Sequence, residues 1–250
     1  TYDSGVTLDK IYEIATPYLT ADIPNLRFAQ SADIMYLVHP SYQVRTLLRT
    51  DHNAWILDAI YLGEPQTAKT ITGITRANPG VVTVHETHAF SNGDAVLIES
   101  IVGMTQLNDK YFTVANVTTH TFTLKDIDGN DIDTTNYTAW SSGGTVKKIN
   151  VSVPALFGAD NNPSVCTFFE QRLVFAATNN NPQTLFFSKS ADYENFTIGS
   201  GADNDALIYT IASNKVNAIR YLSATRILII GTSGGEYVLT TTNGGPVTAT

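Results

Sequence analysis

Three stretches of the chain repeat one pattern of apolar and polar positions. Each has a short apolar run, a turn rich in Pro, Asn, Gly or Ser, and a second apolar run. The first runs are IMYLV at residues 34–38, LVFAA at 173–177 and ILII at 227–230. Runs this continuous in Val, Ile, Leu, Phe or Met are typical of strands covered on both faces. The pattern therefore predicts three antiparallel strand pairs whose first strands occupy equivalent inner or central positions.

One long segment separates the first strand pair from the other two. When residues 67–149 are set aside, the pairs recur about every 55 residues, a period that suits a four-stranded propeller blade. Such a unit cannot bury its hydrophobic face alone and has to stack on its neighbours. We therefore predict an all-β chain. Partial β-propeller-like blades, formed by residues 1–66 and 150–250, are interrupted by a small inserted β-barrel domain at 67–149.

The segment 67–149 alternates apolar and polar positions over short stretches that are separated by turn residues. This pattern predicts five or six short strands, enough for a small barrel or sandwich. The clearest of them lie at 71–75, 81–84, 95–99, 111–114 and 121–124. Outside the segment we expect strands at 43–49 and 54–61, a short strand or extended arm at 12–18, and one helical turn within 20–30.

The net charge of the chain argues against one class of function, general nucleic-acid binding. The 250 residues include 15 Lys and Arg against 23 Asp and Glu, which gives a net charge of −8. A general nucleic-acid binder needs clustered Lys and Arg to neutralise phosphates, and the chain has no such cluster beyond Lys147 and Lys148. The charge remains compatible with a passage through which DNA slides without sticking.

Other sequence features argue against particular structural elements and identify no function. Cys166 is the single cysteine, so it cannot form an internal disulfide, and we expect a small core residue there. No apolar run is long enough to predict a membrane helix, and no signal peptide opens the sequence. Because the chain begins with Thr1 and not with Met, we expect a fragment or a processed product.

Residues 231–235, GTSGG, fit the G-x-S-x-G pattern of a nucleophile elbow around Ser233. That mechanism needs a helix after the serine and a histidine base, which in α/β-hydrolases follows the serine in the chain. Here a strand-like run follows, and the last histidine is His120. We therefore interpret the segment as a glycine-rich hairpin turn and expect no hydrolase activity from Ser233.

An acidic stretch at 126–133, DIDGNDID, looks like a calcium loop. An EF-hand loop has Gly at its sixth position and Glu at its twelfth, where this chain has Asp131 and Tyr137. We interpret the stretch, which includes Asp126 and Asp133, as a hairpin tip, with a weak surface calcium site as the alternative.

The remaining candidates are histidines and aromatic residues. His85 and His88 are three positions apart but lack a further ligand nearby, so we expect no metal site there and no cofactor. His39 and His52 are interpreted as structural or surface residues. An exposed aromatic platform could bind sugar, but a role in the core or between blades is favoured. The aromatic residues concerned are Tyr42, Tyr61, Tyr193 and Phe196.

Three stretches outside the insertion resemble a known family of viral proteins. Residues 26–50, 168–197 and 205–240 are similar to segments of the tail nozzle or hub proteins of short-tailed phages (podoviruses), also called stabilisation proteins. The resemblance implies a β-propeller-based subunit that forms a ring below the portal, extends the DNA channel and closes or seals it. It carries over no catalytic residues. Family members are usually much larger than this chain, which leaves the blade number open.

The insertion resembles a different family. Its stretches 71–85, 90–105, 107–115 and 122–125 are similar to the FCCH-like domain of ubiquitin-activating enzymes, a small β-domain that recurs in phage structural proteins. The similarity implies a fold. It implies no ubiquitin chemistry, because the adenylation and cysteine machinery of those enzymes is absent from this sequence.

Together these observations predict a non-enzymatic structural protein of a phage or prophage tail, made in the bacterial host cytoplasm and located in the virion tail. The expected partners are copies of itself in a homo-oligomeric ring and neighbouring tail, portal or adaptor proteins. DNA is expected only as passing cargo, and no membrane is involved. The alternative is a carbohydrate-binding or adhesin module. A third possibility, a tail-associated depolymerase, would need an acidic pair in a groove.

Overall fold

Strands make up almost all of the regular structure. The computed structural model describes residues 12–150, 161–212, 215–240, 245 and 247–248. Its helical content in this part of the chain is two short 3-10 helices, Ile23–Asn25 and Thr105–Leu107. Within the same residues, no helix has the length and apolar character needed to cross a membrane. The predicted all-β class is confirmed, and the helical turn expected within 20–30 is the first of the two helices. The arm at 12–18 contains no strand.

The first sheet is a four-stranded antiparallel meander, each strand pairing with the next along the chain. The apolar run predicted at 34–38 is its second strand and pairs with both neighbours. Its strands are β1 (Arg27–Ser31), β2 (Ile34–His39), β3 (Tyr42–Asp51) and β4 (Ala54–Ala59).

The second sheet repeats this arrangement with the same order of strands. Every residue of its two central strands is buried, as expected for apolar runs without alternation. Its strands are β12 (Val165–Phe169), β13 (Arg172–Ala176), β14 (Thr184–Phe187) and β15 (Leu207–Thr210).

The third sheet has three strands, β16 (Ile219–Ala224), β17 (Leu228–Thr232) and β18 (Gly235–Leu239). Strands β2, β13 and β17 are each second in their sheet, so the prediction of equivalent central strands is confirmed. The run at 227–230 is covered less completely than expected. Leu228 and Ile230 are buried, whereas Ile229 is half-buried because it lies on the opposite face of β17.

The three sheets stack through their first strands and share two cores. Strand β12 contacts both β1 and β16. From β13, Leu173 and Phe175 enter the core shared with the first sheet, and Val174 and Ala176 enter the core shared with the third. Alternate side chains of a strand point to opposite faces, so one apolar run supplies both cores.

The segment between the first and second sheets forms a closed six-stranded antiparallel barrel, and the expected small barrel is confirmed. The strands pair in the order β11-β6-β7-β10-β9-β8, and β8 pairs with β11 to close it. The strands are β6 (Lys69–Ile74), β7 (Val81–Val84), β8 (Ala95–Val102), β9 (Lys110–Ala115), β10 (Thr121–Lys125) and β11 (Ser142–Asn150).

The barrel core follows the alternation seen in the sequence, and Phe122, Ile98 and Val146 are among its fully buried side chains. Gly144 lies where β11 runs between its two neighbouring strands, close to the side chains of Ile101 of β8 and Ile71 of β6. Its φ of +101° lies in the left-handed region, and a Cβ there would stand 2.8 Å from the Ile101 side chain. Glycine is therefore required for the close approach that lets β11 pair with both β6 and β8.

The chain enters and leaves the barrel side by side. The short strand β5 (Glu64–Pro65) pairs with the end of β11, so that Glu64 lies opposite Asn150. This geometry suits a domain inserted into another domain, because its two ends meet at one place. Residues 1–11 and 151–160 of the predicted flanking domain lie outside the described residues, and the division at 67–149 stays a prediction.

Excising the barrel tests that division. Joining Glu64 to Asn150 through a short Gly/Ser linker should leave a folded β-protein, because the two ends are already neighbours. We expect lower stability than in the full chain, since Tyr61 and Glu194 lose their contacts with Tyr111 of the barrel. Circular dichroism and thermal melting are the measurements. Aggregation without a cooperative melt would contradict the insertion.

Truncating a buried side chain of a central strand tests the stacking of the sheets. Leu173 is fully buried between the first two sheets, so Leu173→Ala should lower the free energy of unfolding by about 2–5 kcal/mol. Asn180→Ser, in the exposed turn between β13 and β14, should cost much less. Denaturant unfolding of both variants is the measurement, and equal losses at the two positions would argue against the repeat assignment.

Candidate functional site

An acidic cleft lies between the first sheet and the barrel. Its volume is about 210 Å³. Asp58 of β4, Glu99 of β8, Asp109 and Glu194 bring four carboxylates to its lining. Apolar side chains of β2, β3 and β8 also line it, and Tyr111 of β9 forms part of the wall. No sequence pattern indicated this grouping, because the four acids come from three different units of the fold.

Glu194 connects these three units through its carboxylate. The Tyr111 hydroxyl of the barrel donates a hydrogen bond to Glu194 Oε2 at 2.7 Å. The Tyr36 hydroxyl of the first sheet donates to Oε1 at 3.4 Å. Glu194 itself lies in the long connection between β14 and β15 of the second sheet. Buried carboxylates require such donors, because an unpaired charge away from water is costly.

Burial dominates the electrostatics of the cleft. Loss of solvent raises the pKa of Glu194, and the hydrogen bonds from Tyr111 and Tyr36 oppose the shift only in part. Burial likewise raises the pKa of Asp58, against the opposing charge of Lys110. Both carboxyls therefore hold a proton to higher pH than an exposed acid does. Glu99 forms an ion pair with Lys147, at 2.5 Å between Oε2 and Nζ.

A buried arginine fixes the loop that bears Glu194. Arg172 begins β13 and is only 3% exposed. Its Nη1 donates to the carbonyls of Ser188 and Asp205, and its Nη2 donates to the carbonyl of Asp203, each at 2.6 Å. These contacts hold both ends of the segment 188–205. The one signal in the sequence is a charged residue at the start of an otherwise apolar run.

Ser233 lies in a tight turn, as the sequence indicated. Thr232 pairs with Gly235 across a two-residue hairpin between β17 and β18, and a strand follows the serine where an elbow needs a helix. The Thr232 hydroxyl accepts from Gly234 N and donates to Gly235 O. The hairpin-turn interpretation is confirmed.

The acidic stretch at 126–133 forms the predicted hairpin tip after β10. Lys125 and Asp131 pair as an antiparallel bridge. Asp126 accepts hydrogen bonds from the backbone and side chain of Asn130, and Lys125 Nζ lies 2.7 Å from Asp131 Oδ1. These carboxylates engage their own loop and nearby cations. Among the described residues, no three His, Cys, Asp or Glu side chains form a group that could hold a metal ion.

The two neighbouring histidines occupy different environments. His85 is exposed. His88 stacks on Phe90 with ring centroids 4.5 Å apart and packs edge-on against Phe122, over the apolar core of the barrel. Desolvation lowers the pKa of His88. Its Nδ1 accepts a hydrogen bond from Phe90 N, and the two ring contacts give His88 a packing role.

The aromatic residues considered as a sugar platform are dispersed, and the packing interpretation is confirmed. Phe196 is buried and stacks on Phe175, while Tyr193 packs edge-on against Phe168. Tyr61 contacts Tyr111, and Tyr42 contacts Tyr18 and His39. Cys166 lies against the first sheet, and burial raises the pKa of its thiol to about 12.

Replacing Glu194 should change how stability depends on pH. Its pKa is higher in the folded than in the unfolded state, so its contribution is fully present below about 4.5 and is lost as pH rises through the raised pKa. Glu194→Gln should remove this decline. The measurement is urea unfolding from pH 4 to pH 8 (about the range over which carboxyls with raised pKa titrate). Glu86→Gln, at an exposed barrel position, is the control. Parallel curves for Glu194→Gln and the parent would contradict the assignment.

Comparison with known proteins identifies one part of the chain. The family model described as the ubiquitin-activating enzyme E1 FCCH domain matches residues 77–150, which fall within the barrel. The predicted resemblance of the insertion to this domain is confirmed over those residues. No curated protein matches the chain.

Among solved structures, the phage phi92 endosialidase matches with 15% sequence identity and a TM-score of 0.22. The match covers 88% of this chain, which spans only 36% of that protein. A TM-score this low does not establish a shared fold. The resemblance to nozzle or hub proteins stays a prediction.

Proposed function

We propose that the protein is a structural component of a phage or prophage tail. In this role, copies of the chain assemble into a nozzle-like or hub-like ring that extends and seals the DNA conduit below the portal. The tail assignment rests on the resemblance of residues 26–50, 168–197 and 205–240 to tail proteins. The proposal that copies of the chain assemble into a ring rests on an exposed apolar surface of the third sheet.

That surface is the outer face of the third sheet, formed by Tyr221, Ile229, Glu236 and Val238. Its opposite face packs on the second sheet through Leu228 and Ile230. On the outer face, Ile229 pairs with Val238, and the Tyr221 hydroxyl donates to Glu236. Val238 is 55% exposed and Tyr221 is 44% exposed. Contiguous exposed apolar side chains on a sheet commonly mark a contact surface.

A second copy of the chain is the proposed occupant of this face. Rings of identical subunits use heterologous contacts, in which one face meets a different face of the neighbour. A stack of sheets suits this geometry, because its two ends differ. In this proposal the three sheets are blades of a partial propeller. The common direction of β1, β12 and β16 supports it: their beginnings line one cleft and their ends line another.

Charge supports the conduit role. A channel that passes a genome must not hold it, and the net charge of −8 would keep a duplex mobile by repulsion. The proposal therefore includes weak DNA binding and acidic residues concentrated on the inner face of the ring.

Assembly can be tested with a matched pair of substitutions. Val238→Asp places a charge on the outer face of the third sheet, and Val102→Asp places one on the barrel at an equal exposure of 55%. We expect Val238→Asp to shift the chain toward monomer in light scattering and native mass spectrometry, because a buried unpaired carboxylate is costly. Val102→Asp should assemble like the parent. A parent that stays monomeric, or equal assembly of both variants, would count against the ring.

Location is tested on the full-length protein. Electron microscopy of tail complexes should place it on the tail axis next to the portal-bearing end. A position away from that axis, or sub-micromolar binding to duplex DNA at physiological salt, would defeat the conduit role.

A depolymerase is the second candidate, favoured by the acidic cleft. Asp58 and Glu194 both have raised pKa values, as a general acid in glycoside hydrolysis requires. Loss of polysaccharide viscosity on incubation with the protein, abolished by Asp58→Asn, would support it. If the viscosity stays unchanged, the result argues against the depolymerase, and the role of Glu194 is the structural one of connecting the three units.

A further inference from the structure

A second cleft lies where the three stacked sheets meet. Its volume is about 390 Å³, and it is lined by the beginnings of β1, β12 and β16 and by the turn after β13. Each sheet therefore contributes to one opening. Clefts of a few hundred Å³ at the junction of packed units are common small-ligand sites.

The charge of this cleft is opposite to that of the protein. Arg27 and Arg220 line it, and none of its lining residues in the described part of the chain is Asp or Glu. The chain as a whole carries an excess of acidic residues. By contrast, Arg49 and Arg45 lie near carboxylates of Asp33 and Asp128.

Both arginines have guanidinium N–H groups that form no hydrogen bond with the described residues. Arg27 Nη1 donates to the carbonyls of Pro24 at 2.8 Å and Leu26 at 3.0 Å, which holds the guanidinium in place and leaves its Nη2 and Nε. The Arg220 side chain has no hydrogen bond or ion pair with any described residue. One arginine is thus held in position, and the other is free to close on a ligand.

Two hydroxyl groups of the wall are engaged within the fold. The Ser164 hydroxyl donates to the Ala177 carbonyl at 2.7 Å, and the Thr178 hydroxyl accepts from Asn181 N at 3.0 Å. These contacts hold the two hydroxyl groups in place. The charged groups of the lining are the two guanidinium groups.

We infer that this cleft binds an oxyanion, the carboxylate or phosphate group of a small ligand, between Arg27 and Arg220. Guanidinium groups present paired donors that match both anions, and they remain charged at all physiological pH values. The site is separate from the acidic cleft and does not depend on the ring proposal.

The test is isothermal titration of the full chain with two probes, inorganic phosphate and glucuronate, in a phosphate-free buffer of low ionic strength. We expect saturable binding of at least one probe. Arg220→Gln should weaken it by about tenfold, since it removes a charge-assisted contact. Arg226→Gln removes the same charge from the exposed turn between β16 and β17 and should leave the affinity within about twofold.

The two probes separate the possible sources of the anion. Binding of phosphate alone supports a phosphate-bearing ligand, and binding of glucuronate alone supports an acidic sugar. Absence of saturable binding by both probes would overturn the inference, as would equal weakening by Arg220→Gln and Arg226→Gln. Because the Arg220 side chain is exposed and forms no hydrogen bond or ion pair with the described residues, its replacement should leave the circular dichroism spectrum unchanged.

Discussion

Strand β13 sends Leu173 and Phe175 into one core and Val174 and Ala176 into another. Each fully buried large side chain contributes about 1.5–3 kcal/mol, so a strand that is apolar on both faces stabilises two interfaces at once. The first and third sheets each bury a face only because the second sheet lies between them. The cleft at the junction of the sheets, the buried arginine and the loop that bears Glu194 take their positions from this central sheet.

Because the second sheet is covered on both faces, few of its positions suit polar groups. Arg172 lies at the start of β13, and Glu194 lies in the connection that follows β14, outside the apolar strands. Arg172 is matched by backbone carbonyls and Glu194 by tyrosine hydroxyls, without a direct ion pair between them. Neutral partners suit such sites, since a buried charge needs hydrogen bonds more than it needs a formal countercharge. Through Tyr111, the same carboxylate ties the barrel to the sheets.

The two clefts have opposite electrostatic characters within one acidic chain. The cleft next to the barrel gathers four carboxylates, two of which, Asp58 and Glu194, have their pKa raised by burial, and the cleft at the junction of the sheets presents arginines. Their separation on the molecule is consistent with distinct tasks, cohesion between units at the first and ligand capture at the second.

The sequence by itself determined the central strands and most of the barrel strands. Uninterrupted apolar runs at β2, β13 and β17 and alternation in the segment 67–149 reflect which faces are buried, and burial leaves a local pattern. The flanking strands β1 and β16 were missed. Their residues are largely polar or exposed, and they become strands by pairing with a neighbour.

Tertiary structure alone decided the clefts and their chemistry. Glu194 meets Tyr111 across 83 positions and Tyr36 across 158. Arg27 and Arg220 come from the first and third sheets and share one cleft. Single polar residues at such separations leave no periodic signal in the chain. Their partners follow from how the sheets stack, because only the packed sheets determine which strand ends lie side by side.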